Sequence, residues 1–341
     1  MKHTKLMRGA LALAIAATLG ATTSTTLAQD AGIDNPSRNA YMASLKGKRV
    51  VFVAMTMQVD MTNAWAKMMQ RQAKELGYTL DIRDANWSTE VGGRALTTAI
   101  AEKPDLIVLQ NADVQAYARI IKQAADAKVK VLQVNMESLQ KSDGYVGADW
   151  VGIGYAAGKE LAQHCSSGKG RSSKVQVLMG APTSAVDLFQ VFGMRKALAE
   201  HPEIKIVSQQ VTNYDANKAR SITASVLQQH PDLCGSFGIW DAMDAGTGAS
   251  IKEAGQQGKV YVVTSGAGAE TACQKVKDGT FSAMVSYDSR VHGAAINTMI
   301  ANMLLLKQST VGNPMVYYPP HRVINKDNLR PGSCWGTEDL L

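Results

Sequence analysis

No Cys-x-x-Cys pair occurs in the 341 residues, and the four cysteines (Cys165, Cys234, Cys273 and Cys334) all fall in the second half of the chain. That spacing argues against a zinc site or a dithiol redox centre. Lysine and arginine are nowhere gathered into a block, which argues against nucleic acid as a partner. The 29 glycines show no three-residue period, so a collagen-like chain is excluded. Past the amino-terminal segment, no uncharged apolar stretch reaches the roughly 18 residues of a membrane-spanning helix. Gly-x-Ser-x-Gly and Gly-x-x-x-x-Gly-Lys are both missing, and with them a nucleophile elbow and a phosphate loop. Gly152, Gly154 and Gly158 are closely spaced, but no strand directly precedes them, so they do not make a dinucleotide fingerprint. The six histidines are scattered, with His164, His201 and His230 at helix ends. No catalytic residue, metal ligand or cofactor is expected.

What is present is globular. The chain is 45% hydrophobic and 19% charged, which is enough apolar surface to offset the entropy of ordering. At roughly 150 residues per domain the length implies two domains or one large one. Lys2, Lys5 and Arg8 open the chain with no acid, a largely apolar run follows over 10–21, and Thr26-Leu27-Ala28 precedes Gln29-Asp30. These are the parts of a secretory signal peptide, residues 1–28, cut after Ala28. Residues 29–47 read as a polar leader with room for one helical turn. The mature chain carries 33 basic and 29 acidic residues, and it is expected to be soluble and exported. An even number of cysteines in an exported protein suggests disulfides. Of three possible pairings, Cys234–Cys273 with Cys165–Cys334 is expected, against the alternative of four buried free thiols.

Strand and helix signals alternate along the rest. Residues 49–54 (RVVFVA) form a continuous apolar run, as parallel strands covered on both faces do. A helical pattern follows and stops at Gly77. The unit recurs with strands at 78–83, 106–109, 129–134, 175–179, 204–209, 235–239, 260–264 and 281–286. Helices lie between them, and a last long one covers 292–306. That rhythm predicts doubly wound parallel sheets. About nine strands strain a single open sheet, so an α/β fold of two lobes is the simpler reading. The turn-rich segment 141–150 (KSDGYVGADW) breaks the rhythm and marks a crossing.

Several stretches then carry a resemblance. They are Lys74-Glu75-Leu76-Gly77-Tyr78, Lys103-Pro104-Asp105-Leu106, Val146-Gly147-Ala148-Asp149 and Pro182-Thr183-Ser184-Ala185. His230-Pro231-Asp232-Leu233, Trp240-Asp241-Ala242-Met243-Asp244 and Val276-Lys277-Asp278-Gly279 continue the series. In this order, from about residue 48 to 328, the chain resembles the type I periplasmic sugar-binding proteins of ABC importers. The resemblance implies two lobes joined by a three-strand hinge, with crossings near 147–149, 287–290 and 314–318. Lobe 1 would hold 48–147 plus 289–313, and lobe 2 would hold 148–288 plus 314–341. It also implies a periplasmic, monomeric, non-enzymatic protein. Such a protein closes on a small sugar-like or polyol ligand and delivers it to a membrane permease. A sensory role beside a membrane receptor stays open, as does a less polar or aromatic solute.

Ligands of open parallel sheets bind beyond the C-terminal strand ends. That rule nominates Gln58, Asp60, Trp87, Asn111, Asn135 and Glu137 in lobe 1. In lobe 2 it nominates Asp187, Phe189, Tyr214, Trp240, Asp241, Ser265 and Tyr287. Aromatic faces suit the C–H faces of a sugar ring, and each buried hydroxyl needs a polar partner. The chain departs from the family's charged set in four places. Asn135-Met136 stands for Asp-Arg, Phe189-Gln190 for an Arg, Ser265-Gly266 for an Asp, and Trp240 for an Asn.

Overall fold

The computed structural model describes residues 35–111, 113–169 and 172–340. The expected signal peptide and its cleavage site lie outside them. Helix α1 covers Pro36–Leu45. The Asn35 side chain caps it by accepting from the Arg38 backbone N–H at 3.1 Å, and Pro36 fills the first turn, where its missing N–H is not needed. The leader is thus helical for ten residues, longer than the single turn its polar composition suggests. Residues from Gly47 onward form a separate unit.

That unit begins with β1 (Arg49–Ala54), α2 (Asp60–Leu76), β2 (Thr79–Asp84), α3 (Thr89–Glu102) and β3 (Leu106–Leu109). It continues with α4 (Ala118–Asp126), β4 (Val131–Val134) and β5 (Gly144–Val146). A second run holds α5 (Trp150–Cys165), β6 (Lys174–Met179), α6 (Ala185–Leu198), β7 (Lys205–Val211) and α7 (Ala216–Gln229). Next come β8 (Gly235–Gly238), α8 (Asp241–Glu253), β9 (Tyr261–Gly266), α9 (Glu270–Lys277) and β10 (Ala283–Ser286). Helix α10 (Ser289–Leu305), β11 (Met315–Tyr317), β12 (Arg322–Asn325) and a 3-10 turn (Thr337–Leu340) follow.

Two six-stranded sheets result, in the orders β11-β5-β4-β3-β1-β2 and β12-β10-β9-β8-β6-β7. All neighbours are parallel except β12, which runs antiparallel to β10. Leaving out β11 and β12, both sheets share one winding order, so the two lobes are topological repeats. The central strands β3, β4 and β8 are buried along their whole length, whereas the edge strand β2 is partly exposed. Coverage on both faces is the reason an apolar run marks β3 so clearly.

The chain passes between sheets after β5, after β10, and between β11 and β12. The segment at 315–317, assigned above to lobe 2, pairs with β5 in the first sheet. The third crossing therefore lies after Tyr317. Strand β5 itself hides in the turn-rich segment, because three residues flanked by polar turns give no periodic signal. Helices α5 and α6 pack unusually closely. A Cβ on Gly154 would lie 1.9 Å from the Gln190 carbonyl oxygen, and one on Gly193 would lie 2.0 Å from that of Val151.

Both disulfides form, but in another pairing than expected. Cys165 joins Cys234 with Cα atoms 5.8 Å apart, and Cys273 joins Cys334 at 6.0 Å. The fold gives the reason. The end of α5 lies beside the start of β8, which brings Cys165 to Cys234. The segment after β12 returns along the second lobe to α9, which brings Cys334 to Cys273.

Candidate ligand-binding cleft

One cavity of about 300 Å³ opens between the lobes at the C-terminal ends of their strands. Gln58, Asp60, Trp87 and Asn135 line it from the first lobe. Tyr214, Trp240, Asp241 and Tyr287 line it from the second lobe and the second crossing. The other five expected residues lie off the cavity. Asn111 is buried and donates to the Gln133 side chain and the Met136 carbonyl. Ser265 is buried and donates to the Ile239 carbonyl at 2.8 Å. Phe189 is 40% exposed on α6. Glu137 is partly buried outside the cavity, where burial raises its carboxyl pKa and Lys141 opposes the rise.

Asp187, the fifth, acts from behind the cavity wall. Its carboxylate accepts from the Gly180 N–H at 2.5 Å and from the Tyr214 hydroxyl at 2.6 Å. Burial raises its pKa, and these hydrogen bonds work in the opposite direction. The same burial and the facing carboxylate push the Tyr214 hydroxyl far up. Asp187 therefore fixes the ring of Tyr214 rather than meeting a ligand itself.

The aromatic walls come from matched positions. Asn86 and Trp87 follow β2 with φ of 48° and 65°, and Asn213 and Tyr214 follow β7 with φ of 57° and 61°. Left-handed backbone is costly for a tryptophan or tyrosine and occurs where the surroundings enforce it. Here it turns both rings inward, one from each lobe. They face each other with centroids 6.2 Å apart and planes 30° apart, and Trp240 meets Tyr214 edge-on at 6.0 Å. Trp150 packs edge-on against Tyr287 at 5.0 Å and donates its indole N–H to the Asn135 carbonyl. The lobes also touch beside the cavity, where the Val114 N–H donates to the Thr183 carbonyl at 3.4 Å.

Polar groups are few. Asn135 is 3% exposed, has φ of 66°, and its side-chain oxygen has no partner. A buried amide oxygen without a partner is costly unless a ligand meets it. Asp241 opens α8, and burial pushes its carboxyl up to about 6, with Lys275 opposing and Asp60 adding to the rise. Lys275 and Trp335 also line the cavity, and the strand-end rule names neither. Lys275 comes from a helix side and Trp335 from the segment after the last strand. No group of three or more His, Cys, Asp or Glu could hold a metal among the described residues. Nor is any helix among them long and apolar enough to cross a membrane.

A family model for a periplasmic binding protein domain matches residues 50–308. The chain belongs to that family. Among curated members, the D-apiose import binding protein of Actinobacillus succinogenes is 25% identical over 57% of this chain and 62% of its own length. The ribose import binding protein of Salmonella typhimurium is 25% identical over 64% of this chain and 71% of its own length. The chain thus spans less than two thirds of the apiose protein. Among solved structures, a glucose-galactose binding protein from Geobacillus stearothermophilus superposes with a TM-score of 0.73. It is 23% identical and covers 83% of this chain and 99% of its own. A solute-binding protein from A. succinogenes with bound D-allose gives 0.70 at 24% identity, over 83% and 98%. These structures have the same two-lobe fold as this member of the family.

Proposed function

We propose that the chain is an exported, non-enzymatic solute-binding protein that captures one small sugar-like or polyol molecule and delivers it to the permease of an ABC importer. The observation that carries this reading is the inter-lobe cavity. It has an aromatic face from each lobe, an unpartnered Asn135 oxygen and two carboxylates. Aromatic faces take ring C–H groups, while Asn135, Asp60 and Asp241 take hydroxyl donors. Family membership and relatives named for apiose and ribose support it. A monomer that works in the periplasm after cleavage at Ala28 completes the proposal.

A second reading is favoured by the lining itself. Met55, Met61, Met136, Val186 and Ile239 also face the cavity, and Ser265 is turned away from it. A less polar ring compound therefore suits the same site. A thermal-shift screen of the mature protein separates the two, using D-ribose, D-allose, D-galactose, polyols, nucleosides and benzoate. A ligand held only by the folded form at about 100 times its dissociation constant adds about 2.7 kcal/mol, a rise of several degrees. Sugar or polyol hits support the first reading, and hits confined to benzoate or nucleosides support the second. No hit, together with no co-purified molecule in mass spectrometry of the denatured protein, rejects both.

A further inference from the structure

The segment after β12 does more than end the second lobe. It is gripped first at the hinge. Asp288 accepts from Arg290 at 2.7 Å and lies 3.5 Å from Arg322. These two arginines in turn donate to the carbonyls of Gly332 at 3.1 Å and Ser333 at 2.5 Å. Next, Cys334 is bonded to Cys273 on α9. Trp335 then docks as a short parallel bridge to Ala269. Its backbone N–H donates to Gly268 at 2.9 Å, its carbonyl accepts from Glu270 at 2.9 Å, and its indole donates to Ala267 at 2.7 Å. With both backbone and ring satisfied, the indole is 5% exposed and forms part of the cavity wall. Finally the segment reaches the other lobe. Leu340 is buried in a small apolar cluster with Trp335 and with Ala64 of α2, and Met68 and Ala269 pack around it. Both lobes and the tail thus meet in one cluster outside the main cores.

We propose that residues 332–340 are a strap, a fourth link between the lobes beyond the three hinge crossings. It supplies Trp335 as a ligand-contacting wall, and its seat on α2 limits how far the cleft opens. The wall role rests on the cleft reading above, whereas the strap role does not. The reason is geometric. Cys273–Cys334 and the bridge at Ala269 fix the strap to lobe 2, so opening the hinge must pull Leu340 off Ala64. That exposes apolar surface on both sides, which opposes opening.

The test uses the mature chain and the variants Leu340→Ser, Leu340→Ala and Trp335→Ala, with folding checked by circular dichroism. The first readout needs no ligand and follows amide hydrogen exchange of residues 60–68. Leu340→Ser should raise exchange there threefold or more while the exchange of β8 is unchanged, and a smaller rise overturns the strap. Should Leu340→Ser not fold, the milder Leu340→Ala is judged by the same threshold, since it too withdraws the side chain from Ala64 while Cys273–Cys334 stays in place. The second readout is affinity for D-ribose, D-allose and benzoate. For any of these that the wild type binds, Trp335→Ala should weaken affinity tenfold or more, and unchanged affinity overturns the wall role. If the wild type binds none of the three, the wall role falls with the cleft reading, and the exchange result still decides the strap.

Discussion

Asp244 shows how one buried side chain can set a pH response. It is fully buried in α8 and accepts from the Thr247 hydroxyl at 3.0 Å, and burial pushes its carboxyl up to about 7. A carboxyl whose folded pKa lies above its unfolded value contributes stability that is fully present below the unfolded pKa. That contribution is lost as pH rises through the folded value. The window therefore runs from about 4 to about 7. Above it, folding must hold a buried charge. Asp244→Asn removes that charge and nearly keeps the shape, so it should raise the melting temperature at pH 8 by a few degrees and change it little at pH 4. Melting curves at the two pH values decide this, and an equal shift at both would assign the effect to packing. His292 acts in the other direction. It is buried against Trp65 with ring centroids 4.6 Å apart, and burial lowers its pKa to about 4. Stability from its neutral ring is present above about 6.5 and is lost as pH falls toward 4.

The elements that the sequence exposes most clearly are those whose packing repeats. Buried parallel strands such as β1, from Val50 on, and β3 read as unbroken apolar runs because both faces are covered. Strands β5, β11 and β12 are not legible, since β5 is three residues set between polar turns, and β11 and β12 are short edge strands that are mostly not buried and so carry no apolar run. The site follows the same division. Trp87, Asn135, Tyr214 and Trp240 stand just after strand ends and are found by that rule. Ser265 stands at the end of β9 but points into the sheet, and alternation along a strand can reverse such a reading. Trp335 and the Cys273–Cys334 pairing depend on where the tail returns, and the Cys165–Cys234 pairing on the end of α5 meeting the start of β8, neither of which a local pattern encodes. The α5–α6 contact was likewise hidden, although its glycines are visible. Gly154 and Gly193 let the two helices approach backbone to backbone, each facing a carbonyl of the other helix. Gly154→Ala would place a methyl 1.9 Å from the Gln190 oxygen and must push the helices apart. A cost of about 1–3 kcal/mol is expected, despite alanine's better helix propensity. Chemical denaturation measures it directly, and a neutral or stabilising change would show that the helices slide to make room.

At the scale of the molecule, two lobes of one winding order face each other through matched aromatic turns. Trp87 follows β2 and Tyr214 follows β7, and these strands occupy the same edge position in their sheets. A ligand in the cavity that touches both rings touches both lobes at once, so it favours the closed arrangement by the pair of contacts it can make together only there. Moving a population from 1:99 to 99:1 takes about 5.5 kcal/mol of differential affinity. One or two aromatic contacts supply only part of that at about 0.5–1.5 kcal/mol each, so the polar groups must supply the rest. Asn135 and Asp241 come from opposite lobes and can share one ligand only when the cleft is shut. The protein should therefore become more compact when its ligand saturates it. Small-angle scattering with the hit from the thermal screen should show a smaller radius of gyration than the free protein. Asn135→Ala should lose both affinity and compaction, since it removes the lobe 1 half of the polar bridge to Asp241 that only the closed form completes. Trp87→Ala should weaken binding while leaving the residual compaction at saturation intact, provided the polar bridge between lobes survives. An unchanged radius with a confirmed, saturating ligand would mean that the free protein is already closed. In that case the tail contact between Leu340 and Ala64 becomes the natural place to look for what holds it shut.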